Sequence, residues 1–426
     1  MNIDSAMNID PELQAQVNAQ LLEQGAFTAL AWLIDCGRLA GDVYDGWRRR
    51  DIEFLDDALM GSKEKIRAQL EAATAYARKI GLVEQAQEFY AWGTAPQGAE
   101  AALRISSDPQ WHRLVAGRYV RAQNALQMDL FFDNPIVALT NGIVRALATR
   151  NRSECRRLLD RLYESAPNHA DLAAFDALQG ALDHLNRPIV DPRRELGFLR
   201  AIAPSAKRLL GFQARDLLSP LWRQLAAALE LRPYAAAEPE LHGSFALSQA
   251  QDWPQVCDSV TREPDWRLQP ALCLRLAQAA FHCRNRELKL SAWFHLCWRA
   301  PMQATEALEH PRHQDTGIAA LWQRYVASAE DLSLPGDAPE TALTALDFPA
   351  WLLLREPGLA QRLDPELPTG DTPAEECFRC VHRWIEARRA HRQSDEMALR
   401  KTLQAGHPVL FRHLKQAVLA MAHDAR

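Results

Sequence analysis

Cys377-Phe378-Arg379-Cys380 is the only C-x-x-C in the chain, with His382 two residues on and His391 further along the same predicted helix. Three positions apart on a helix, the two sulfurs share a face and have the spacing of a metal chelate or a redox pair. A structural zinc takes four ligands, usually from two such pairs, and the second pair is missing. A c-type haem attachment needs His directly after the second Cys, where Val381 stands. The thiols therefore read as core residues. No metal and no cofactor is expected, and Cys377, Cys380 and His382 are the ligands a metal would use.

A second set is His282, Cys283, His295 and Cys297, placed on the two arms of a predicted hairpin where convergence on a metal is conceivable. Adjacent helical residues point about 100° apart, however, and Cys297 shares the apolar face of Leu290 and Trp293. His310, His313 and Asp315 form a third set in a loop that reads equally as a solvated turn. The P-loop, dinucleotide, zincin and nucleophile-elbow patterns are all absent, so the common catalytic frameworks give no assignment. An all-α enzyme with an unrecognised site, near Trp47–Asp51 or the 282–297 cluster, remains an alternative.

Arginine is the other chemical signal. Of 49 Lys+Arg only seven are Lys, leaving 42 Arg, and there are 12 Trp. Arg forks and Trp faces anchor protein interfaces, and single-stranded nucleic acid stacks on them as well. Trp47-Arg48-Arg49-Arg50 is the sharpest run, because three successive Arg cover several faces of a helix end and cannot all be packed. It is a candidate contact patch for an acidic partner or a phosphate, against the plainer reading of a solvated helix end. A second patch surrounds Trp384, with Arg379, Arg383, Arg388, Arg389 and Arg392. The net charge of -5 argues against general nucleic-acid binding, which leaves a subunit of a nucleic-acid-associated complex as a further alternative.

The remaining composition is that of an ordinary globular chain: 426 residues, 48% hydrophobic and 24% charged. Through Met60 there are eleven Asp/Glu against four Arg, while from Asp371 onward seven acids face ten Lys/Arg. The polar start MNIDSAMNID lacks a basic stretch followed by an apolar one, so export by the usual route is not expected. No apolar run approaches the roughly 20 residues that span a bilayer. Eight scattered Cys suit a reducing cytoplasm better than a disulfide framework.

These residues must be positioned by helices. Asp10-Pro11, Asp108-Pro109, Asn134-Pro135, Asp191-Pro192 and Thr372-Pro373 each set a capping side chain before a Pro at the first helical position. Ser62, Ser153 and Ser394 open further periodic runs. Helices are predicted at 26–36, 51–59, 83–92 and 109–128 among many others, and sustained two-residue alternation is missing. The class is all-α, in stacked antiparallel helical hairpins.

The segment 134–167 shows the grammar best. Ile136, Leu139, Ile143 and Leu147 make one stripe, and Cys155, Leu158, Leu159, Leu162 and Tyr163 make the next. It ends in Ser-Ala-Pro, and the later pair 270–301 ends in Arg-Ala-Pro. With Cys155, Leu159, Leu162 and Pro167 at the second-helix spacing, the chain resembles the tetratricopeptide class of α-solenoid, whose unit is ~34 residues. The resemblance implies stacked repeats with a curved groove for another protein or peptide. Breaks at 232–239 and 332–339 divide the chain into 1–105, 106–232, 239–331 and 339–426, the last with a Pro-rich loop. The expected function is a helical-repeat scaffold or adaptor. Its contact residues are expected to be Trp47, Arg48, Arg49 and Arg50 with Arg118 and Arg121, and Asn141 and Arg145 on the first helix of the 134–167 pair.

Overall fold

The computed structural model describes residues 10–24, 26–91, 102–121, 135–185, 187–310, 315–332, 343–364, 367 and 369–424. Asn134, His313, the MNID repeat except for Asp10, and the break at 332–339 except for Leu332 lie outside them. The chain divides into two compact units, Met1–Asp252 and Trp253–Arg426. Both are predominantly helical. Among the described residues no helix is long and apolar enough to cross a membrane.

The first unit contains α1 (Pro11–Gln24), α2 (Ala29–Asp35), α3 (Gly41–Arg48), α4 (Lys63–Lys79), α5 (Pro109–Ala116), α6 (Pro135–Ala148), α7 (Arg152–Ser165), α8 (Leu172–His184), α9 (Pro192–Leu210), α10 (Ala214–Ala228) and α11 (Gly243–Ala250). It also contains a small sheet that the sequence pattern did not announce. β1 (Ala26–Thr28), β2 (Leu82–Ala86) and β3 (Gly117–Arg121) form an antiparallel sheet in the order β1-β3-β2, with Phe27 and Glu84 both opposite Tyr119. Ile66, Leu70, Ala73 and Ala77 line the buried face of α4, in one core with Phe27, Trp47, Trp111 and Tyr119.

Several expected helices are corrected here. The run 26–36 starts as β1 before α2, and 51–59 is bends around a single 3-10 turn at Asp56–Ala58. The expected helix 83–92 is strand β2 followed by irregular chain to Ala91, and α5 stops at Ala116, where β3 takes over. Strands of three and five residues show too few alternations for a period of two to stand out from a helical stripe. Residue type carried the signal instead, since Val83, Tyr119 and Val120 are β-formers. Gly81, at φ 82°, ends α4 in the left-handed region that releases the chain into β2.

Caps fall largely where Asp-Pro and Thr-Pro put them. Asp10, Asp108 and Asp191 side chains accept from N–H groups two residues on, at 2.9–3.0 Å. Thr372 and Glu375 make a reciprocal capping box at the start of a later helix. Ser153 is not a cap. Asn151 is, accepting from the Glu154 N–H at 3.1 Å, and Ser153 lies within the first turn.

The second unit contains α12 (Trp253–Thr261), α13 (Pro270–His282), α14 (Arg286–Arg299), α15 (Pro301–Glu309), α16 (Thr316–Leu332), α17 (Phe348–Arg355), α18 (Pro373–Arg389), α19 (Gln393–Gly406) and α20 (Pro408–Asp424). Its core is aromatic: the Trp298 ring meets Phe378 edge-on at 5.2 Å, and Tyr325 meets Trp351 at 5.4 Å. Arg299 donates to the buried Glu375 carboxylate at 2.9 Å and so ties α14 to the cap of α18.

One turn geometry recurs in three hairpins, α6–α7, α13–α14 and α18–α19. Each first helix ends in a left-handed residue, Arg150, Arg284 or His391, with φ of 56°, 56° and 55°. The following residue, Asn151, Asn285 or Arg392, has φ near −85° and ψ of 88°, 91° and 78°. Every second helix then runs 14 residues to a residue before Pro: Ala166, Ala300 and His407, with ψ of 69°, 68° and 70°. Within the first hairpin the helices touch closely at Gly142, where an added Cβ would lie 2.9 Å from Leu158 Cδ1. Gly142→Val is therefore expected to lower stability by about 1–3 kcal/mol through overpacking, measurable by urea titration. The favourable helix propensity gained over Gly would dominate only if α7 shifts freely.

Candidate functional site

In the first unit, α3 and α10 bring an unusual concentration of charge into the interior. Tyr44 and Arg48 stand one turn apart on α3, with Asp45 beside them, and all three are buried. Asp216, Ser219 and Arg223 fall on one stripe of α10, otherwise lined by Leu217, Leu221 and Leu225. Arg48 Nη1 pairs with Asp216 Oδ2, and the Tyr44 hydroxyl donates to Asp216 Oδ1 at 2.7 Å. Arg48 also donates to the Tyr44 oxygen at 2.8 Å and, through Nε, to the Tyr90 carbonyl at 2.9 Å. The chain positions that meet here are 168 residues apart.

A second group completes the cluster. Arg223 pairs with Asp45 through Nη1 and, through Nε, with Asp252 at 3.1 Å. Arg215 bonds Gln251 Oε1 and the Ala250 carbonyl, and its guanidinium stands 3.8 Å from Asp45 Oδ1, beyond hydrogen-bond reach. Gly41 makes room for it, because a Cβ there would fall 2.2 Å from Arg215 Nη2. Arg48, Arg150, Arg215 and Arg223 thus face Asp45, Asp216 and Asp252.

Pro220 explains where Arg150 goes. Proline has no N–H, so inside α10 it leaves the Asp216 carbonyl, four residues back, without its helical donor. Arg150 Nε supplies that bond at 2.7 Å. Burial pushes the Arg150 guanidinium down to about 10, opposed by the nearby Asp216 and Asp45 carboxylates. Burial works most strongly against the Arg48 charge, but the Asp216 carboxylate and the Tyr44 hydroxyl together outweigh it and leave Arg48 above its usual value. Asp216 itself is raised by burial, with Arg48 and Tyr44 opposing, and the geometry is that of an ion pair.

Arg150 borders an open cleft of about 400 Å³, lined also by Arg152, Leu182, Leu185, Pro220 and Gln224. At its edge Arg152 pairs with Asp183 at 2.5 Å. Chemically the cleft offers cationic donors and an apolar wall. The buried cluster behind it holds no thiol or imidazole and makes salt bridges within itself, which suits a rigid support better than a nucleophile.

The expected contact residues separate. Trp47 is fully enclosed, its indole N–H on the Arg104 carbonyl at 3.0 Å, and Arg48 is the buried partner of Asp216. Neither reaches a surface partner, because residues 47 and 48 fall on the inner face of α3. Arg49 and Arg50 are exposed, Arg49 paired with Asp51 at 2.9 Å. Arg118 lies half-buried on the central strand rather than on a helix, between Thr28 and Gln85, and Arg121 ends that strand. Asn141 and Arg145 are exposed one turn apart on α6, as expected for one helical face.

The metal candidates do not gather either, and among the described residues no group of three or more His, Cys, Asp or Glu could hold a metal ion. Cys377 is buried, and burial raises its thiol well above the ordinary value. The Cys380 thiol donates to the Leu399 carbonyl at 3.5 Å. His382 Nε2 lies 2.9 Å from the Ala360 carbonyl; a carbonyl only accepts, so that nitrogen carries its proton. The 282–297 set divides: Cys283 is hydrogen-bonded to Cys257, a residue not singled out, His282 stacks on Trp253 at 4.3 Å, and His295 lies between Trp266 and Trp298. Around Trp384, Arg379 bonds the Gly370 carbonyl, Arg388 pairs with Glu396 and Arg392 with Asp395.

Asp45, Arg150, Asp216 and Arg223 escaped the sequence reading. The signal that could have found them is Asp216 in the apolar run Ala214–Trp222 with Pro220 four residues later, since a charge and a freed carbonyl in one buried turn both require partners. Comparison of the chain with family models, with curated proteins and with solved structures finds no match to any of them.

Proposed function

We propose that the chain is a recognition scaffold of helical hairpins that binds another protein or a peptide. The observation that carries this reading is the recurrence of one hairpin turn three times with matching dihedral angles. Repeated hairpins that bury one side against neighbours leave helical faces free for a partner, the economy of tetratricopeptide-like stacks. The free face we assign is that of α6, with Asn141 and Arg145.

The state of the reactive side chains supports recognition over catalysis. Burial raises the Cys155 and Cys273 thiols to about 12, which removes the thiolate a nucleophile needs. His295 is driven down to about 3, far from the neutral range where a general base works.

The test is affinity capture of the tagged chain in its native host, followed by titration of the dominant partner against wild type and an Asn141→Asp/Arg145→Glu variant. We expect the variant to bind at least about tenfold more weakly, a difference of about 1.4 kcal/mol. Unchanged affinity removes the α6 face from the interface, and the absence of any stoichiometric partner removes the scaffold reading. Arg48 is unsuitable for such a test because its replacement strands Asp216.

A further inference from the structure

The three matched hairpins isolate what is particular to Cys283. It closes α13 directly before the left-handed Arg284, and it is exposed. The equivalent places before Arg150 and His391 hold Thr149 and Ala390. Thr149 turns its hydroxyl onto the Arg145 carbonyl at 2.9 Å, and Ala390 has no polar atom in its side chain. The turn thus accepts three unrelated side chains, and nothing in its backbone asks for a thiol.

What the Cys283 thiol meets is a second thiol. Cys257, half-buried on α12, donates to the Cys283 sulfur. The two residues are 26 positions apart, so chain connectivity does not make them neighbours. Packing of α12 on α13 does. Trp253, one turn before Cys257, stacks on His282, next to Cys283, with ring centroids 4.3 Å apart and planes within 6° of parallel. That stack fixes the register of the two helices at the point where the sulfurs meet. Other thiols are spent on oxygen: Cys273 donates to the Trp266 carbonyl at 3.4 Å, and Cys36 to Gln16 Oε1 at 3.4 Å.

The two sulfurs differ in access and in protonation. Cys283 is the exposed one, so a solute reaches it first. Cys257 is held as the thiol, raised by its hydrogen bond to Cys283 and then by burial. The thiolate is the nucleophile, so the sulfur that accepts this hydrogen bond is the one that attacks, and its donor is the one that resolves.

We propose that Cys283 and Cys257 form a redox modification site, which a hydroperoxide converts to a disulfide and a dithiol reductant restores. The Cys283 thiolate attacks one oxygen of the peroxide. The O–O bond breaks, hydroxide leaves, and Cys283 becomes a sulfenic acid, its sulfur having given up two electrons. The Cys257 sulfur then attacks the Cys283 sulfur; the S–S bond forms, the S–O bond breaks, and the departing hydroxide leaves as water with the Cys257 proton. Two thiols and one peroxide become one disulfide and two waters. The return runs by two exchange steps in which the reductant leaves as its own disulfide. Little movement is needed, because sulfurs already in hydrogen-bond contact have only to close to about 2 Å. The site lies in the second unit and does not rest on the recognition reading of α6.

The test is treatment of the full chain with hydrogen peroxide, alkylation after unfolding, and mass spectrometry of peptides without reduction. Two of the eight cysteines are expected to escape alkylation, in one cross-linked species that joins residues 257 and 283, and dithiothreitol should return both. Cys257→Ser should stop at the Cys283 sulfenic acid, trapped with dimedone, and Cys283→Ser should leave Cys257 as the thiol. Neither position is fully buried, so both variants should melt with the reduced wild type, which checks their fold. A bond that closes a loop of this length should raise the melting temperature of the second unit by about 5–10 °C, a gain removed by dithiothreitol and missing in either variant. Oxidation of Cys283 to the sulfinic acid while Cys257 remains alkylatable overturns the proposal. So does a disulfide that joins two chains through Cys283, a cross-link that maps to other cysteines, or survival of both thiols at a peroxide dose that oxidises them in the unfolded chain.

Discussion

Asp216→Ala is expected to destabilise the unit formed by residues 1–252 by about 3–5 kcal/mol, because it strands the Arg48 guanidinium in an interior that excludes water. The Tyr44 hydroxyl loses its acceptor in the same step. Urea titration with hydrogen exchange read separately on the two units checks it: protection should fall across α3 and α10. A double variant, Arg48→Met with Asp216→Leu, separates the two contributions. It leaves no unpaired charge and should recover most of the loss, since well-packed apolar residues often replace a buried pair at little penalty. A loss below about 1 kcal/mol for Asp216→Ala would mean that water reaches the pair, as at a surface ion pair.

The second unit should lose stability steeply in mild acid. His295 and His413 are buried with both ring nitrogens lacking a hydrogen-bond partner. Burial, reinforced by Arg267 and Arg299, lowers His295 to about 3; burial, reinforced by Arg355, lowers His413 to about 4. Both are neutral when folded and take a proton at their ordinary value near 6.5 when unfolded. Between 6.5 and about 4 the unfolded state therefore binds more protons, and stability falls as pH falls. Each imidazole contributes roughly 1.4 kcal/mol per pH unit, so the pair removes roughly 5 kcal/mol between pH 6.5 and 4.5. Asp347, raised by burial, works in the opposite sense and offsets part of this at the acid end. His295→Phe should roughly halve the slope of stability against pH in the second unit. A slope unchanged by that substitution would place the acid sensitivity elsewhere.

What the sequence announced was governed by periodicity and by caps. Ile143 and Leu147 on α6, and Cys155, Leu158 and Leu162 on α7, are all buried as their spacing required. The Asp-Pro and Thr-Pro starts were equally legible, because the cap acts within three residues and needs no distant partner. The sheet was not legible, since β1, β2 and β3 are short and their pairing depends on contacts 31 to 94 residues away in sequence, such as Phe27 with Tyr119 at 92. The site was hidden for the same reason. Arg48 looks like one of three surface arginines until Asp216 is brought to it, and nothing local to residue 48 distinguishes it from Arg49. Arg150 was overlooked as a turn residue, and its role follows only from a proline on another helix.

The sequence separation across the buried pair has a consequence for synthesis. Arg48 leaves the ribosome 168 residues before its carboxylate partner, a delay of roughly 8 to 34 s at typical elongation rates. During that interval α3 has to keep its guanidinium in water, so the apolar residues around it, Tyr44 and Trp47 among them, cannot close over it. The N-terminal half of the first unit is thus held open until α10 emerges, and its completion is timed by translation of residue 216 rather than by the local propensity of the early helices.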